Sequence, residues 1–127
     1  MLKIGVIGAG HLGKIHIQQW KEVPTVQLIG FFDPSDEQAE KAIAEYNVTR
    51  YTDIDTLIQE ADALDIVAPT TNHYDIAKKC LLAGKHFFIE KPLANTLEEG
   101  RELVKLVKEA GVKCQVGHVE RYNPAYL

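Results

Sequence analysis

Long apolar runs are missing from this sequence: none approaches the roughly 20 residues that a helix needs to cross a bilayer, so no membrane span is expected. Basic clusters are missing as well. Lys and Arg together number 14 against 18 Asp and Glu, the formal net charge is −4, and no Lys/Arg block occurs, which argues against a general nucleic-acid surface. Cysteine is scarce. Cys80 and Cys114 stand too far apart for a CxxC redox or zinc pattern and read as two buried thiols of a reducing compartment. No two of the five histidines share a face at ligand spacing, so no metal site is expected. Low-complexity tracts are absent too. The first apolar strand begins within a residue or two of Met1, which leaves no room for a secretory leader and makes the cytoplasm the expected location.

What is present is a length and composition, 127 residues with 46% hydrophobic and 25% charged, that suit one globular domain with a real core. Six short apolar runs recur: Lys3 to Ile7, Val26 to Phe32, a short one at Arg50 and Tyr51, Leu64 to Ala68, His86 to Ile89, and Lys113 to Val116. Between them the apolar spacing changes to three and four. Ala39, Ala42, Ile43 and Tyr46 predict one helical stripe, Ile76, Ala77, Cys80 and Leu81 a second, and Leu97, Gly100, Leu103, Val104 and Val107 a third. Asp53, Asn72 and Thr96 stand where helices can be capped, and Gly84 and Gly111 where two should stop. This alternation predicts an α/β fold, a doubly wound parallel sheet of order 3-2-1-4-5-6 built by right-handed crossovers, the Rossmann arrangement.

The first strand of that sheet turns through Gly8, Gly10 and Gly13 directly into a helix. In a dinucleotide site the first glycine allows the tight turn, the second lets backbone approach a pyrophosphate, and the third lets the helix pack close to the strand, with the helix N–H groups facing the anion. His11 and Leu12 lie inside this loop, where their backbone matters more than their side chains. Taken alone, three such glycines also fit an ordinary strand-to-helix connection. Asp33 adds the context, because it ends the second strand 20 residues beyond Gly13. A carboxylate there accepts hydrogen bonds from the adenosine ribose hydroxyls and repels the extra phosphate of NADP. The next residues are Pro34, Ser35 and Asp36, with no arginine among them, which favours NAD. Asp33-Pro34 also reads as a turn and helix entry, a reading that leaves the distance from the glycines unexplained.

Ligands of such sheets sit outside the carboxyl ends of the strands, near the switch between strands one and four. That rule selects Pro69, Thr70, Asn72 and His73, then Glu90 and Lys91, and finally His118 through Asn123. Lys91 lies beside the cleft for the nicotinamide end, and a partly desolvated lysine is able to take a hydroxyl proton. Without further context a lysine after a strand is more often a solvated loop residue, and Glu90 reads as a surface acid. His73 reads as a loop residue of the cleft or as a first-turn helix residue, and His16 as a residue packed under the glycine turn.

The segments GAGHLGKIH, ending at His16, and Ala83-Gly84-Lys85-His86 leading into Glu90-Lys91-Pro92-Leu93 closely resemble the Gfo/Idh/MocA family, named for glucose-fructose oxidoreductase and inositol dehydrogenase. The resemblance covers the whole chain, with its two elements at their proper separation of roughly 70 residues. It implies an NAD- or NADP-dependent oxidoreductase acting on sugars, cyclitols or nucleotide sugars. It also makes Lys91 the catalytic or substrate-positioning lysine and Glu90 a contact to the nicotinamide ribose. Asn72 and His73 match the loop after strand four that borders the nicotinamide half. The tail from Gly117 and His118 to Pro124 resembles the crossover to the family's second domain, and similar tails in members that act on UDP-activated amino sugars point weakly to that substrate. Arg121 and Asn123 read there as phosphate or sugar contacts, or as a structural bridge.

Members of this family are more than twice as long, and their C-terminal sheet domain supplies a catalytic histidine, most substrate contacts and usually the oligomer interface. The resemblance therefore implies that residues 1–117 form the dinucleotide-binding domain and 118–127 begin the crossover to a C-terminal substrate domain that this chain lacks. Homo-oligomers would then form only through that domain, and the fragment alone would be inactive. A rival reading from another class is a non-catalytic NAD-sensing module. The Glu90-Lys91 pair speaks against it, since a sensor has no need of a proton-transferring lysine.

Overall fold

The structure, a computed structural model, describes residues 1–69, 72–90 and 96–117. Strand and helix alternate from the start: β1 (Leu2–Ile7), α1 (His11–Lys21), β2 (Val26–Phe32), α2 (Asp36–Tyr46), β3 (Arg50–Tyr51) and α3 (Ile54–Glu60), then β4 (Ala63–Ile66), α4 (His73–Leu82), β5 (His86–Glu90), α5 (Leu97–Ala110) and β6 (Cys114–Gly117). The six strands form one sheet of order β3-β2-β1-β4-β5-β6, every pairing parallel. This is the doubly wound order expected from the sequence.

Local chemistry starts and stops these helices where the sequence allows. Ser35, Asp53 and Thr96 each accept a backbone N–H in the first turn of α2, α3 and α5. Asn47 and Gly111 end α2 and α5 in the left-handed conformation. Asn72 does occupy the N-cap position of α4, but its side chain makes no capping bond.

Parallel strands need cover on both faces, and two cores supply it. On one face α3, α4 and α5 bring Leu57, Ile58, Ala77, Cys80 and Leu103 against Leu64, Ile66, Phe87 and Ile89. On the other, Ile17 of α1 and Ala39 and Ala42 of α2 close over Val6 and Phe31. The α4 stripe is buried in full. The other two are narrower than their periodicity suggests. Ile43 of α2 is exposed, and on α5 Leu97 (70% exposed) and Val104 (49%) face outward while Leu103, Leu106 and Val107 make the contact. Periodicity marks the apolar side of a helix, but how much of it is covered depends on the neighbours it packs against. Burial also fixes the chemistry of the thiols. Cys80 is pushed up to about 12, first by desolvation and then by Cys114, which desolvation alone raises to about 11. Cys114 is half-buried rather than buried.

β4 stops at Ile66, two residues short of the expected Ala68. Val67 still donates to the Ile7 carbonyl at 2.8 Å, but the Ala68 carbonyl is taken by the His73 ring, which draws the chain out of the sheet.

One charged residue lies in the middle of the central strand β4. Asp65 is 1% exposed, and its Oδ2 accepts from His16 Nδ1 at 2.7 Å and from Trp20 Nε1 at 2.8 Å, two side chains one turn apart on α1. The cluster ties α1 to β4. Asp65→Ala is expected to lower the unfolding free energy by about 2–4 kcal/mol, because two N–H donors lose their acceptor away from bulk water. Urea unfolding followed through the fluorescence of Trp20, the sole tryptophan, measures the effect. A loss below about 0.5 kcal/mol, the range of ordinary surface substitutions, would show that the cluster does not hold the helix.

Candidate functional site

Sheet register assembles the site. Ile7, Phe32, Ile66 and Ile89 lie side by side, each opposite its neighbour, so the following residues Gly8, Asp33, Val67 and Glu90 share the carboxyl edge of the sheet. Glu90 is also paired with Gly117 of β6. Between β1 and β4 the connections diverge in opposite directions, which opens the crevice where such sheets bind ligands.

The three glycines answer to three different constraints. Gly8 has φ +111°, and a Cβ there would stand 2.8 Å from the Val67 carbonyl carbon and 2.9 Å from Ala68 N, so the turn is pressed against the end of β4. At Gly13 a Cβ would meet the Gly8 carbonyl oxygen at 2.1 Å, so the start of α1 is held against the turn itself. Gly10 differs. Its backbone (φ −68°, ψ −167°) suits any residue, and the nearest atom to an added Cβ is Gln38 Oε1 at 3.8 Å. Among the described residues nothing requires a glycine there, whereas a ligand lying against the backbone would.

α1 is prepared for an anion at its N-terminus. Helices α2, α3 and α5 each have a capping side chain and an acid in the first turn, but α1 has neither. Its first N–H groups and its positive dipole end are left to an outside partner. His11 and Leu12 in this first turn are exposed. These features fit the diphosphate of a dinucleotide.

Asp33 lies beside this loop, 6% exposed. Its Oδ2 accepts from Ala9 N at 2.7 Å and its Oδ1 from Ser35 N at 2.8 Å, while Gly8 N donates to the Phe32 carbonyl at 2.8 Å. The carboxylate thus fastens the glycine turn to the end of β2. A carboxylate offers about four lone-pair sites, so these two bonds leave it further acceptor capacity. No arginine follows Asp33 directly in the sequence, yet the fold supplies one. Arg50 of β3, opposite Phe31, brings Nη2 to 3.1 Å from the Asp33 carbonyl and 2.8 Å from Asp36 Oδ1. Strand pairing, not proximity in sequence, puts it there.

Around the β4–α4 loop, Pro69 is exposed and accepts from Asn72 N at 2.9 Å, and Asn72 is exposed as well. His73 falls in the first turn of α4, the helix reading of the two left open. Its ring is buried, and Nε2 donates to the Ala68 carbonyl at 2.7 Å, which closes the loop on itself. His16, expected under the glycine turn, is committed to Asp65. Thr70, Lys91 and His118 lie outside the described residues. Asp65 and Arg50 escaped the sequence reading. A charge inside an otherwise apolar central run was the available signal for Asp65, whereas for Arg50 no local signal existed. Among the described residues no three potential ligands gather to hold a metal ion, and no helix is long and apolar enough to cross a membrane.

Comparison with known proteins agrees with this geometry. The family described as oxidoreductase family, NAD-binding Rossmann fold (Gfo/Idh/MocA) matches residues 2–118. The chain is 37% identical over 124 residues to UDP-N-acetylglucosamine 3-dehydrogenase of Acidithiobacillus ferrooxidans, a match covering 98% of this chain and 39% of that protein. It is 36% identical over 129 residues to the NAD(+)-dependent scyllo-inositol 2-dehydrogenase of Bacillus subtilis, covering 98% and 38%. A solved structure of the Acidithiobacillus ferrooxidans enzyme superposes with a TM-score of 0.89, covering 98% of this chain and 41% of that one. Biliverdin reductase from Synechocystis, solved in complex with biliverdin and NADP+, superposes with a TM-score of 0.88 at 29% identity, covering 94% and 39%. The chain thus spans about two-fifths of the length of the curated relatives it matches.

The glycine assignments separate by experiment. Gly13→Ala is expected to lower Tm by about 5 °C or more, since overpacking against backbone costs about 1–3 kcal/mol. Gly10→Ala should lower it by less than about 3 °C, the cost of losing a tolerant N-cap residue. Thermal melts by circular dichroism check both, and equal losses would contradict the distinction.

Proposed function

The chain belongs to the Gfo/Idh/MocA oxidoreductase family with its NAD-binding Rossmann fold, and from that membership we propose that it is the cofactor-binding part of an NAD-dependent dehydrogenase. Its reaction moves a hydride between the nicotinamide and a hydroxyl or keto carbon of a sugar, cyclitol or nucleotide sugar. The observation that carries this reading is the uncapped N-terminus of α1, reached across Gly10 and flanked by the Asp33 carboxylate. An anion and a diol are wanted side by side, and a dinucleotide offers both. NAD is the preferred form, because a carboxylate at the end of β2, Asp33, would repel a 2′-phosphate on the adenosine ribose.

In this reading the backbone from Gly8 through Gly10, His11, Leu12 and Gly13 holds the diphosphate, and Asp33 takes the adenosine ribose. Pro69, Thr70, Asn72 and His73 belong to the loop assigned to the nicotinamide half, with Glu90 assigned to the nicotinamide ribose and His118 as a further cofactor contact. The bound nicotinamide supplies the hydride acceptor. Lys91 takes or returns the hydroxyl proton of the substrate. UDP-N-acetylated amino sugars are the substrate class favoured by likeness to UDP-N-acetylglucosamine 3-dehydrogenase. Residues 1–117 are the cofactor domain and 118–127 the start of a crossover to a substrate domain, through which a homo-oligomer would assemble. The two free thiols accord with the cytoplasm.

Calorimetric titration with NAD and NADP tests the reading: the folded chain is expected to take up NAD, and failure to take up either cofactor overturns it. Asp33→Ala should weaken NAD about tenfold and NADP much less, and equal losses would contradict its role. When substrate is turned over, Lys91→Ala should lower kcat by at least about a hundredfold while NAD affinity stays nearly constant.

A further inference from the structure

The turn after β2 contains a cation that the reading above leaves unused. Arg50 is 21% exposed, and among the described residues its Nη2 makes both of its contacts, to the Asp33 carbonyl and to Asp36 Oδ1. Its Nε is buried and has no partner among the described residues. A guanidinium carries five N–H donors in a fixed fork, so this one is anchored on one side and underused on the rest. Its counter-ion is held loosely, because Asp36 is 83% exposed and its pairing is screened by water and salt.

The position gives this arrangement its meaning. Arg50 reaches the main chain of Asp33, the residue that takes the adenosine ribose, and Asp36 opens α2 three residues later. A phosphate on the ribose 2′-hydroxyl would bring close to two negative charges into this turn. Asp33 and Asp36 repel it. Arg50 is the described cation within hydrogen-bond reach of the Asp33 main chain, and it matches a phosphate in geometry. We propose that Arg50 and Asp36 set the choice of cofactor: Asp36 occupies the edge of the guanidinium that a 2′-phosphate would otherwise engage. The preference for NAD then depends on two carboxylates acting together, Asp33 by repulsion and Asp36 by competition for the arginine. The inference rests on the dinucleotide reading above and extends it to specificity. The same scaffold admits the phosphorylated cofactor elsewhere, as in the biliverdin reductase that carries NADP+.

The test is the ratio of NADP to NAD dissociation constants, measured by calorimetry on the purified protein at low ionic strength, with Asp33 intact throughout. Asp36→Asn should lower this ratio at least threefold, and 0.5 M salt should erase most of the gain. Arg50→Met should raise the ratio in the native background and abolish the gain in the Asp36→Asn background, whereas Arg50→Lys should keep part of it. Asp36 is exposed and Asn is tolerated at a helix start, so folding of Asp36→Asn is secure, and melts verify the Arg50 variants. If wild type binds NAD and Asp36→Asn leaves the ratio within twofold, or its gain survives removal of Arg50, this inference alone is overturned. If wild type binds neither cofactor, the dinucleotide reading fails and this inference fails with it.

Discussion

The approach of α1 to the turn after β1 is the constraint on which the rest of the site depends. A single methyl group at Gly13 would stand 2.1 Å from the Gly8 carbonyl oxygen, so the helix packs this close to the turn only because Gly13 lacks a side chain. That closeness aims the free N–H groups of the first turn at the carboxyl edge of the sheet instead of into solvent. The Asp33 carboxylate then locks the turn from the other side, through Ala9, and fixes its own place beside it. The glycine turn, the start of α1 and the Asp33 carboxylate are thus parts of one packed and hydrogen-bonded unit and not separate additions.

Two buried polar groups keep that unit from shifting. Asp65 grips α1 from β4 through His16 and Trp20, and His73 closes the loop after β4 on Ala68. Both act on the walls of the crevice between β1 and β4. A polar contact in such a place is costly to leave unmade, which makes it a strong specifier of position even where its net contribution to stability is modest.

Strand order, the three glycines and Asp33 were legible in the sequence because each is announced by local spacing: apolar runs, turn residues, and a fixed distance from helix to acid. The end of β4 was less legible, since Ala68 continues the apolar run and leaves the sheet only because a histidine five residues later takes its carbonyl. Ile43, Leu97 and Val104 follow the helical period yet stay exposed, because the period says nothing of how far a neighbour extends. Asn72 is a good capping residue in a capping position that caps nothing. Arg50 was invisible, because register between strands 17 residues apart brings it to Asp33 and no motif records that pairing.

The two thiols carry a practical consequence. Burial pushes the Cys80 thiol up to about 12 and the Cys114 thiol up to about 11, so in both the reactive thiolate is disfavoured. Both natural thiols are therefore poor nucleophiles toward maleimides and alkylating agents compared with an exposed thiol. A cysteine introduced at any exposed position would be the dominant point of attachment for a dye or spin label, with no need to remove the natural pair first.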